Sequence, residues 1–284
     1  MSMDQSLFSG KTVLVTGASR GLGRDIAEAF WRHGANVFLA ARSAELLAVL
    51  CAQLGERAGY IAIDLADPNS PGQIFAGLSG RPVDVLVNNA AIVGPIGPLE
   101  QNDFAEWRKT IQINLLAPAA LCRLAIQRMK AQGGGVIVNL SGGGATSSRP
   151  FFSAYATAKA GLVRLTETVA VEAARYGIRV NAIAPGAMNT EMHDAVLRTG
   201  PALAGEIEYR KALEQEERGG TSPATPAELA LFLASDAAAG INGRLISALW
   251  DPWKSLASHA AELAQSDVYT LRRIVPQDRG LSWD

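Results

Sequence analysis

The chain has 284 residues, a net charge of −1, and is 48% hydrophobic and 19% charged. That balance supports a sizeable core and excludes a disordered chain or a strongly basic, nucleic-acid-binding one. Two cysteines, Cys51 and Cys122, and three scattered histidines, His33, His193 and His259, exclude a disulfide framework and a His/Cys metal cluster. No apolar run reaches the roughly 18 residues of a membrane span, and the opening MSMDQSLFSG lacks a basic-then-apolar signal pattern, so a cytoplasmic protein is expected.

Residues 11–16, KTVLVT, form a short β-branched apolar run and predict a first strand. A glycine-rich turn follows at once: Gly17, Ala18, Ser19, Arg20, Gly21, Leu22 and Gly23. Helical periodicity over 24–33 buries Ile26, Ala27, Ala29 and Phe30, Gly34 ends it, and NVFLAA over 36–41 predicts the second strand. Strand, glycine turn, helix and strand together point to a dinucleotide site. Glycines let the backbone approach a pyrophosphate, and a helix N-terminus offers N–H groups and the positive end of its dipole. An ordinary βα turn is the bland alternative. The spacing from Thr16 to Gly23 is T-G-x-x-x-G-x-G, not the common G-x-G-x-x-G. It resembles the short-chain dehydrogenase/reductase family, and the resemblance runs through roughly residues 10–249.

Cofactor choice has a chemical reading. An acidic residue at the end of the second strand would bind a ribose 2′-hydroxyl. Ala41 stands there, followed by Arg42, and Arg20 lies inside the glycine turn. Two guanidinium forks suit a 2′-phosphate, so NADP(H) is expected over NAD(H), which stays possible. Both positions resemble those that select NADP(H) in the family. The alternative is that one or both arginines face solvent.

Residues 59–65, GYIAIDL, predict a third strand ending at Asp64, and 83–87 a fourth, followed by Asn88, Asn89, Ala90 and Ala91. The resemblance sets Asp64 and Leu65 beside an adenine and Asn88, Asn89 and Ala90 in the cofactor-binding loop. Ala91 stands where the family usually has glycine. Asp64 is equally an ordinary strand-end turn residue. Residues 101–129 read as mostly helical, with Asn114 in the middle. A buried mid-helix asparagine is unfavourable unless its amide is used, and Pro118 itself disturbs a helix. The resemblance makes Asn114 the catalytic asparagine, helping to hold a water that links the lysine to a proton relay. A helix-kink asparagine is the alternative.

Residues 135–140 predict a fifth strand, followed by a glycine-rich loop and the opening of a helix that carries Tyr155 and Lys159. Four residues apart, these two share one helix face. A phenol beside an ammonium is a possible proton-transfer pair, and the positive charge is expected to lower the phenol pKa. The resemblance makes Tyr155 the general acid for ketone reduction, or the base for alcohol oxidation. It gives Lys159 the nicotinamide ribose hydroxyls. Here the chain departs from the family: the serine expected thirteen residues before the tyrosine is Gly142, while Pro150 keeps its usual place. Losing one donor to a reacting oxygen typically costs about 10²–10³-fold in rate. Three readings stay open. Ser141, one place early, could substitute after a backbone shift. Ser153, Thr146 or a backbone N–H of Gly142–Gly144 could donate instead. Or the protein could bind cofactor as a sensor or scaffold with weak or no catalysis. The surviving Tyr155, Lys159 and Asn114 favour an enzyme, with Ser141 as the first choice of donor.

The helix is expected to run on over 160–176, and with 101–130 it resembles the paired helices through which family members form homodimers and homotetramers. Gly177 ends it and 178–183 predicts a sixth strand. Pro185-Gly186-Ala187-Met188-Asn189-Thr190 resembles the family's P-G-x-x-x-T loop, whose backbone meets the nicotinamide amide and whose threonine bonds the cofactor. Residues 188–222 are expected to form a substrate lid. A Pro226-primed helix over 225–234 and a last strand over 243–249 follow. The chain then runs about thirty-five residues further, with Trp250 and Trp253 around Asp251-Pro252 and a helix expected over 255–265. This extension, 250–284, is too apolar for a fully solvated tail and is expected to pack on its own subunit or a neighbour and to shape the active site; a disordered end is the alternative.

The expected fold is one doubly wound, Rossmann-like α/β domain over 1–284 with a mostly parallel sheet of about seven strands and helices on both faces. The expected function is an NADP(H)-dependent carbonyl reductase or alcohol dehydrogenase acting on a small molecule, with no metal. An epimerase or dehydratase on the same fold fits the glycine spacing less well.

Overall fold

Five residues that are buried without exception, Thr12–Thr16 (β1), start the sheet. The computed structural model describes residues 6–283. Seven strands follow one another in the order β3-β2-β1-β4-β5-β6-β7, and every neighbouring pair is parallel. The others are β2 (Asn36–Ala41), β3 (Ala58–Ala62), β4 (Val85–Asn88), β5 (Gly135–Leu140), β6 (Ile178–Ala184) and β7 (Leu245–Ser247). Strand order reverses between β1 and β4, so a crevice opens beyond their C-terminal ends. Continuous apolar runs in β1, β4 and β5 reflect burial on both faces.

Side chains alternate across each strand. Val13, Val15, Val87 and Val138 face a layer holding α1 (Gly21–Arg32) and, later in the chain, 224–234. Leu14, Leu86, Ile137 and Val180 face the opposite layer. That layer holds α3 (Ser70–Gly77), α5 (Ala117–Gln132) and α6 (Ser153–Ala173), while α2 (Ala44–Leu54), capped by Ser43, covers the far edge of the first. Residues 101–129 are not one helix. α4 (Phe104–Ile111) and α5 are joined by a π-turn, Gln112–Leu116, with Asn114 at its centre.

Between β6 and β7 the chain builds α7 (Glu191–Thr199), α8 (Pro201–Ala204), α9 (Glu206–Arg218) and α10 (Ala224–Ala234). The last segment is a 3₁₀ stretch, Trp253–His259, and a short α11 (Ala260–Ala264) instead of one helix over 255–265. It packs on its own chain. Trp253, Leu256 and Leu263 join the α1/α10 core, and the buried Arg244 guanidinium donates to the carbonyls of Leu263, Ser266 and Val268. Glu167 of α6 accepts from the Leu271 N–H. Trp250 and Trp283 stay exposed.

Candidate active site

The glycine turn is shaped by contacts that leave no room for a side chain. A Cβ on Gly23 would lie 2.3 Å from the Gly17 carbonyl oxygen, and one on Gly17, at φ +67°, would lie 2.8 Å from Ala90 Cα. Asn89 fastens the turn: its Nδ2 donates to the carbonyls of Thr16 and Gly17, at 3.0 and 3.3 Å, while the backbone N–H groups of Asn89 and Ala90 donate to Thr16 Oγ1. Ser19, Arg20 and Gly21 lead into α1. Among the described residues, the N-terminus of α1 has no side-chain cap, and its first turn carries no acid. Those open N–H groups suit a pyrophosphate. Gly21, Leu22, Thr190 and Pro223 line a cleft of about 260 Å³ over this end. The residues present thus fit a dinucleotide.

Other expected contacts are distributed unevenly. Arg42 is exposed and, among the described residues, makes no hydrogen bond or ion pair. Arg20 instead forms an ion pair with Glu191 at the start of α7, both more than half exposed. Asp64 is outside β3, which stops at Ala62; its carboxylate accepts from the Ala66 N–H, closing the turn that residue type predicts. Leu65 beside it is buried. Asn88 differs from Asn89. Its amide is 2% exposed and donates to Asn139 Oδ1 at 2.9 Å, and Asn139 donates on to Thr166 Oγ1 at 2.8 Å. This buried chain ties β4, β5 and α6 together and leaves no exposed Asn88 side-chain atom for a cofactor. Pro185 leads into Gly186, at φ +93°, which packs against Leu249 and Thr221, so a side chain there would be strained and crowded.

Tyr155 and Lys159 sit one turn apart on α6, both buried. The Lys159 Nζ lies 5.6 Å from the Tyr155 ring centre and donates to the Leu140 carbonyl at 2.6 Å, where β5 ends. The expected lowering of the tyrosine pKa by Lys159 is overturned. Burial pushes the Tyr155 phenol up to about 12, and only Arg149 works against it. Burial likewise brings Lys159 down to about 8. For Tyr155 the burial comes from the segment between β6 and β7: Val196, Ala204 and Ala212 pack with Phe152 onto the ring and exclude water. Among the described residues, none of the side chains clustered there comes from the C-terminal extension.

Asn114 is buried, and both ends of its amide are engaged. Oδ1 accepts from the Ile92 N–H at 2.9 Å, and Nδ2 donates to the Ile92 carbonyl at 2.8 Å. The side chain therefore pins the loop after β4 instead of reaching Lys159. The backbone carbonyl is different: Pro118, four residues on, has no N–H to offer it, and π-turns are often found at functional sites.

Gly142 occupies the place of the missing serine, and a Cβ there would come within 2.3 Å of Tyr155 Oη. The phenol rests directly on this glycine. The Ser141 hydroxyl is enclosed and, among the described residues, has no hydrogen-bond partner, and its N–H continues the ladder to Ile183. Ser153 Oγ accepts from Trp107 Nε1 at 3.2 Å, and Thr146 is exposed. Two residues lay outside the sequence reading. Arg149 stacks 4.0 Å over the Phe152 ring and 5.9 Å from that of Tyr155, and its Nε pairs with Glu208 of α9 at 2.8 Å. A lone charge in RPFF just before the tyrosine was the available signal for Arg149; nothing local marks Glu208.

A glycine turn at the β1–α1 switch point, with a Tyr/Lys pair beyond β5, defines a dinucleotide-dependent oxidoreductase. Residues 11–200 match the short chain dehydrogenase family, and the chain belongs to it. It is 37% identical to the short chain dehydrogenase/reductase astE of Aspergillus oryzae over 87% of this chain and 97% of that one. It is 34% identical to cis-4-hydroxycyclohexanecarboxylate dehydrogenase of Sinomonas cyclohexanicum, over 84% and 95%. A Beutenbergia cavernae structure with NADP bound at low occupancy, provisionally described as an NAD(P)-dependent gluconate 5-dehydrogenase, aligns with a TM-score of 0.75. It is 32% identical and the match covers 86% of this chain and 97% of that one.

Proposed function

We propose that this protein interconverts a ketone and a secondary alcohol with NADP(H), using Tyr155 as the proton donor or acceptor. The observation that carries this reading is the buried Tyr155–Lys159 pair at the end of β5. The cofactor supplies or accepts the hydride when bound. Gly17, Ser19, Gly21, Leu22 and Gly23 would cradle its phosphates, Asn89 and Ala90 its ribose side, and Pro185, Gly186 and Thr190 its nicotinamide end. Asp64 and Leu65 would flank the adenine.

At neutral pH the Tyr155 phenol is protonated, the form a general acid needs, and Oη would give its proton to the carbonyl oxygen. Lys159 would hold the ribose and add positive charge below its pKa of about 8. The Asn114 carbonyl, which Pro118 cannot serve as an i+4 donor, would accept from a water leading toward Lys159. The second donor to the substrate oxygen falls to the backbone. The Gly142 and Gly143 N–H groups make no hydrogen bond among the described residues, whereas Ser141 Oγ is enclosed. Residues 188–222 act as the lid that keeps water from Tyr155.

Arg42, unpaired and following a strand that ends without an acid, supports NADP(H) over NAD(H). The NADP-bound structural relative is compatible with that choice, and the Sinomonas relative is named for a hydroxyl on a ring, a secondary alcohol. Exposed Phe104, Leu116 and Val171 on the α4–α6 faces support a homodimer or homotetramer. The unpaired Cys51 and Cys122 suit a reducing, cytoplasmic setting, and among the described residues no helix is long and apolar enough to cross a membrane. The test is turnover of a panel of ketones with NADPH and with NADH. NADPH-preferring turnover that disappears in Tyr155→Phe supports the reading. Turnover that survives Tyr155→Phe removes it.

A further inference from the structure

Arg149 touches the site through its charge, which works against the raised Tyr155 pKa, but most of its hydrogen-bonding capacity is unused. Its guanidinium lies face-on to the fully buried Phe152 ring and 5.9 Å from the Tyr155 ring centre. A Cβ on Gly143 would lie 3.7 Å from its Nη1, so the charge overhangs the glycine run against which the Tyr155 phenol rests. Only Nε is engaged, by Glu208 at 2.8 Å. Among the described residues, neither Nη group makes a hydrogen bond. A guanidinium with its Nη edge free presents the paired donors that match a carboxylate.

Glu208 reaches Arg149 from α9, in the segment that closes over Tyr155. Both side chains are about one-fifth exposed, so each needs a partner. Glu208 has a second one, since Lys211 Nζ lies 3.1 Å from its other oxygen. Taking Arg149 from Glu208 therefore strands neither charge, provided an anion arrives in exchange. An acidic side chain of the protein is then standing on the Nε side of the guanidinium, next to the Nη edge where an acidic substrate would sit.

We propose that Arg149 is the specificity residue of this site, that its free Nη edge recognises a carboxylate on the substrate, and that Glu208, held on Nε, is the internal acid competing with that carboxylate for the guanidinium charge. The proposal rests on the reading of Tyr155 as the reacting centre. The short span from guanidinium to phenol ring means that the carboxylate lies only a few carbons from the carbonyl that is reduced: the substrate is a small keto acid, or the hydroxy acid made from it.

The probes are pyruvate, acetoacetate, levulinate and oxocyclohexanecarboxylate, each matched by its methyl ester, which keeps the ketone and removes the charge. Binding is read by calorimetry on NADPH-loaded full-length Tyr155→Phe protein, so it does not depend on turnover. The expected result is that at least one acid binds tenfold or more tightly than its ester. Adding Arg149→Gln should abolish that ratio, Arg149→Lys should keep part of it, and Glu208→Gln should tighten acid binding by removing the internal competitor. A merely structural Arg149 would weaken acid and ester by the same factor. That outcome, or acids that bind no better than their esters, overturns the proposal. Turnover by the protein with Tyr155 intact is read separately. Acid-selective binding without turnover counts against the reductase reading alone, and turnover without acid selectivity counts against Arg149 alone.

Discussion

Putting a serine at Gly142 restores the pattern of the family, and the structure predicts that it harms this protein. A Cβ at Gly142 would sit 2.3 Å from Tyr155 Oη, 3.1 Å from Cζ and 3.2 Å from Cε1. Carbon contacts settle near 3.5 Å, so the phenol must retreat by roughly 1 Å. It has little room, because the ring is 5% exposed and wedged among Phe152, Val196 and Ala204. Overpacking of this kind costs about 1–3 kcal/mol of stability, and displacing a reacting group by 1 Å costs on the order of 10²-fold in rate. A new hydroxyl donor would be worth a comparable 10²–10³-fold, but only if Tyr155 stays where it is. The account therefore predicts that Gly142→Ser and Gly142→Ala both slow single-turnover NADPH oxidation by on the order of 10²-fold. Both should also lower the melting temperature by a few degrees. The alanine variant carries the Cβ without the hydroxyl, so any advantage of serine over alanine measures the donor alone. A Gly142→Ser protein faster than wild type with an unchanged melting temperature would refute the reasoning, because it would show that Tyr155 does not depend on this glycine.

Other consequences are open to measurement. Burial lowers Lys159 to about 8 in the folded state from an ordinary 10.5, so between those values the unfolded chain holds more protons and stability rises with pH. The rise amounts to about 3 kcal/mol, and urea midpoints compared between wild type and Lys159→Met should show it, whereas a constant difference from pH 8 to pH 10 contradicts it. Tyr155 works the opposite way: with its folded value raised from 10.0 to about 12, it removes stability across that interval. Arg42→Asp should reverse the cofactor preference toward NADH by fluorescence titration; an unchanged NADPH preference would show that Arg42 does not meet a 2′-phosphate. Arg244→Leu leaves the carbonyls of Leu263, Ser266 and Val268 without their donor. It should cost about 3 kcal/mol in denaturant unfolding and expose the C-terminal extension to limited proteolysis, and a protease-resistant extension would count against Arg244 as its anchor.

Much of the scaffold could be read from local chemistry. β1, the glycine turn and α1 follow from a β-branched run, two glycines that cannot carry a side chain, and an amphipathic repeat. Strands β2 and β5 keep their expected bounds, while β3 stops before Asp64 because the carboxylate turns back onto the Ala66 N–H. The π-turn around Asn114 was hidden because helix periodicity is blind to one inserted residue; Pro118 was its trace. Among the described residues, the extension is buried only at Trp253, Leu256 and Leu263, while Val268 and Ile274, apolar residues that suggested burial, stay exposed; Arg244 as its anchor had no trace in the sequence.

The site was legible in its residue types and not in its electrostatics. The Tyr155–Lys159 spacing fixes a common helix face, yet the sign of the tyrosine shift depends on how dry that face is. Dryness is supplied by Val196, Ala204 and Ala212, far along the chain. The same holds for Arg149, whose partner Glu208 is 59 residues away and invisible to any local pattern. Gly142 is visible in the sequence as a departure from the family pattern; that it is the surface on which the phenol rests is a fact of packing.

The central claim, that Tyr155 moves the proton in an NADPH-dependent carbonyl reduction, is tested most directly by single-turnover oxidation of bound NADPH. Wild type and Tyr155→Phe would be loaded with cofactor and mixed with the keto acid that binds best. The account predicts rapid loss of NADPH absorbance in wild type and a rate lower by about 10²–10⁴-fold in the variant, with NADPH bound equally well by both. Equal rates in the two proteins, or no oxidation by wild type of any carbonyl that it binds, would contradict it.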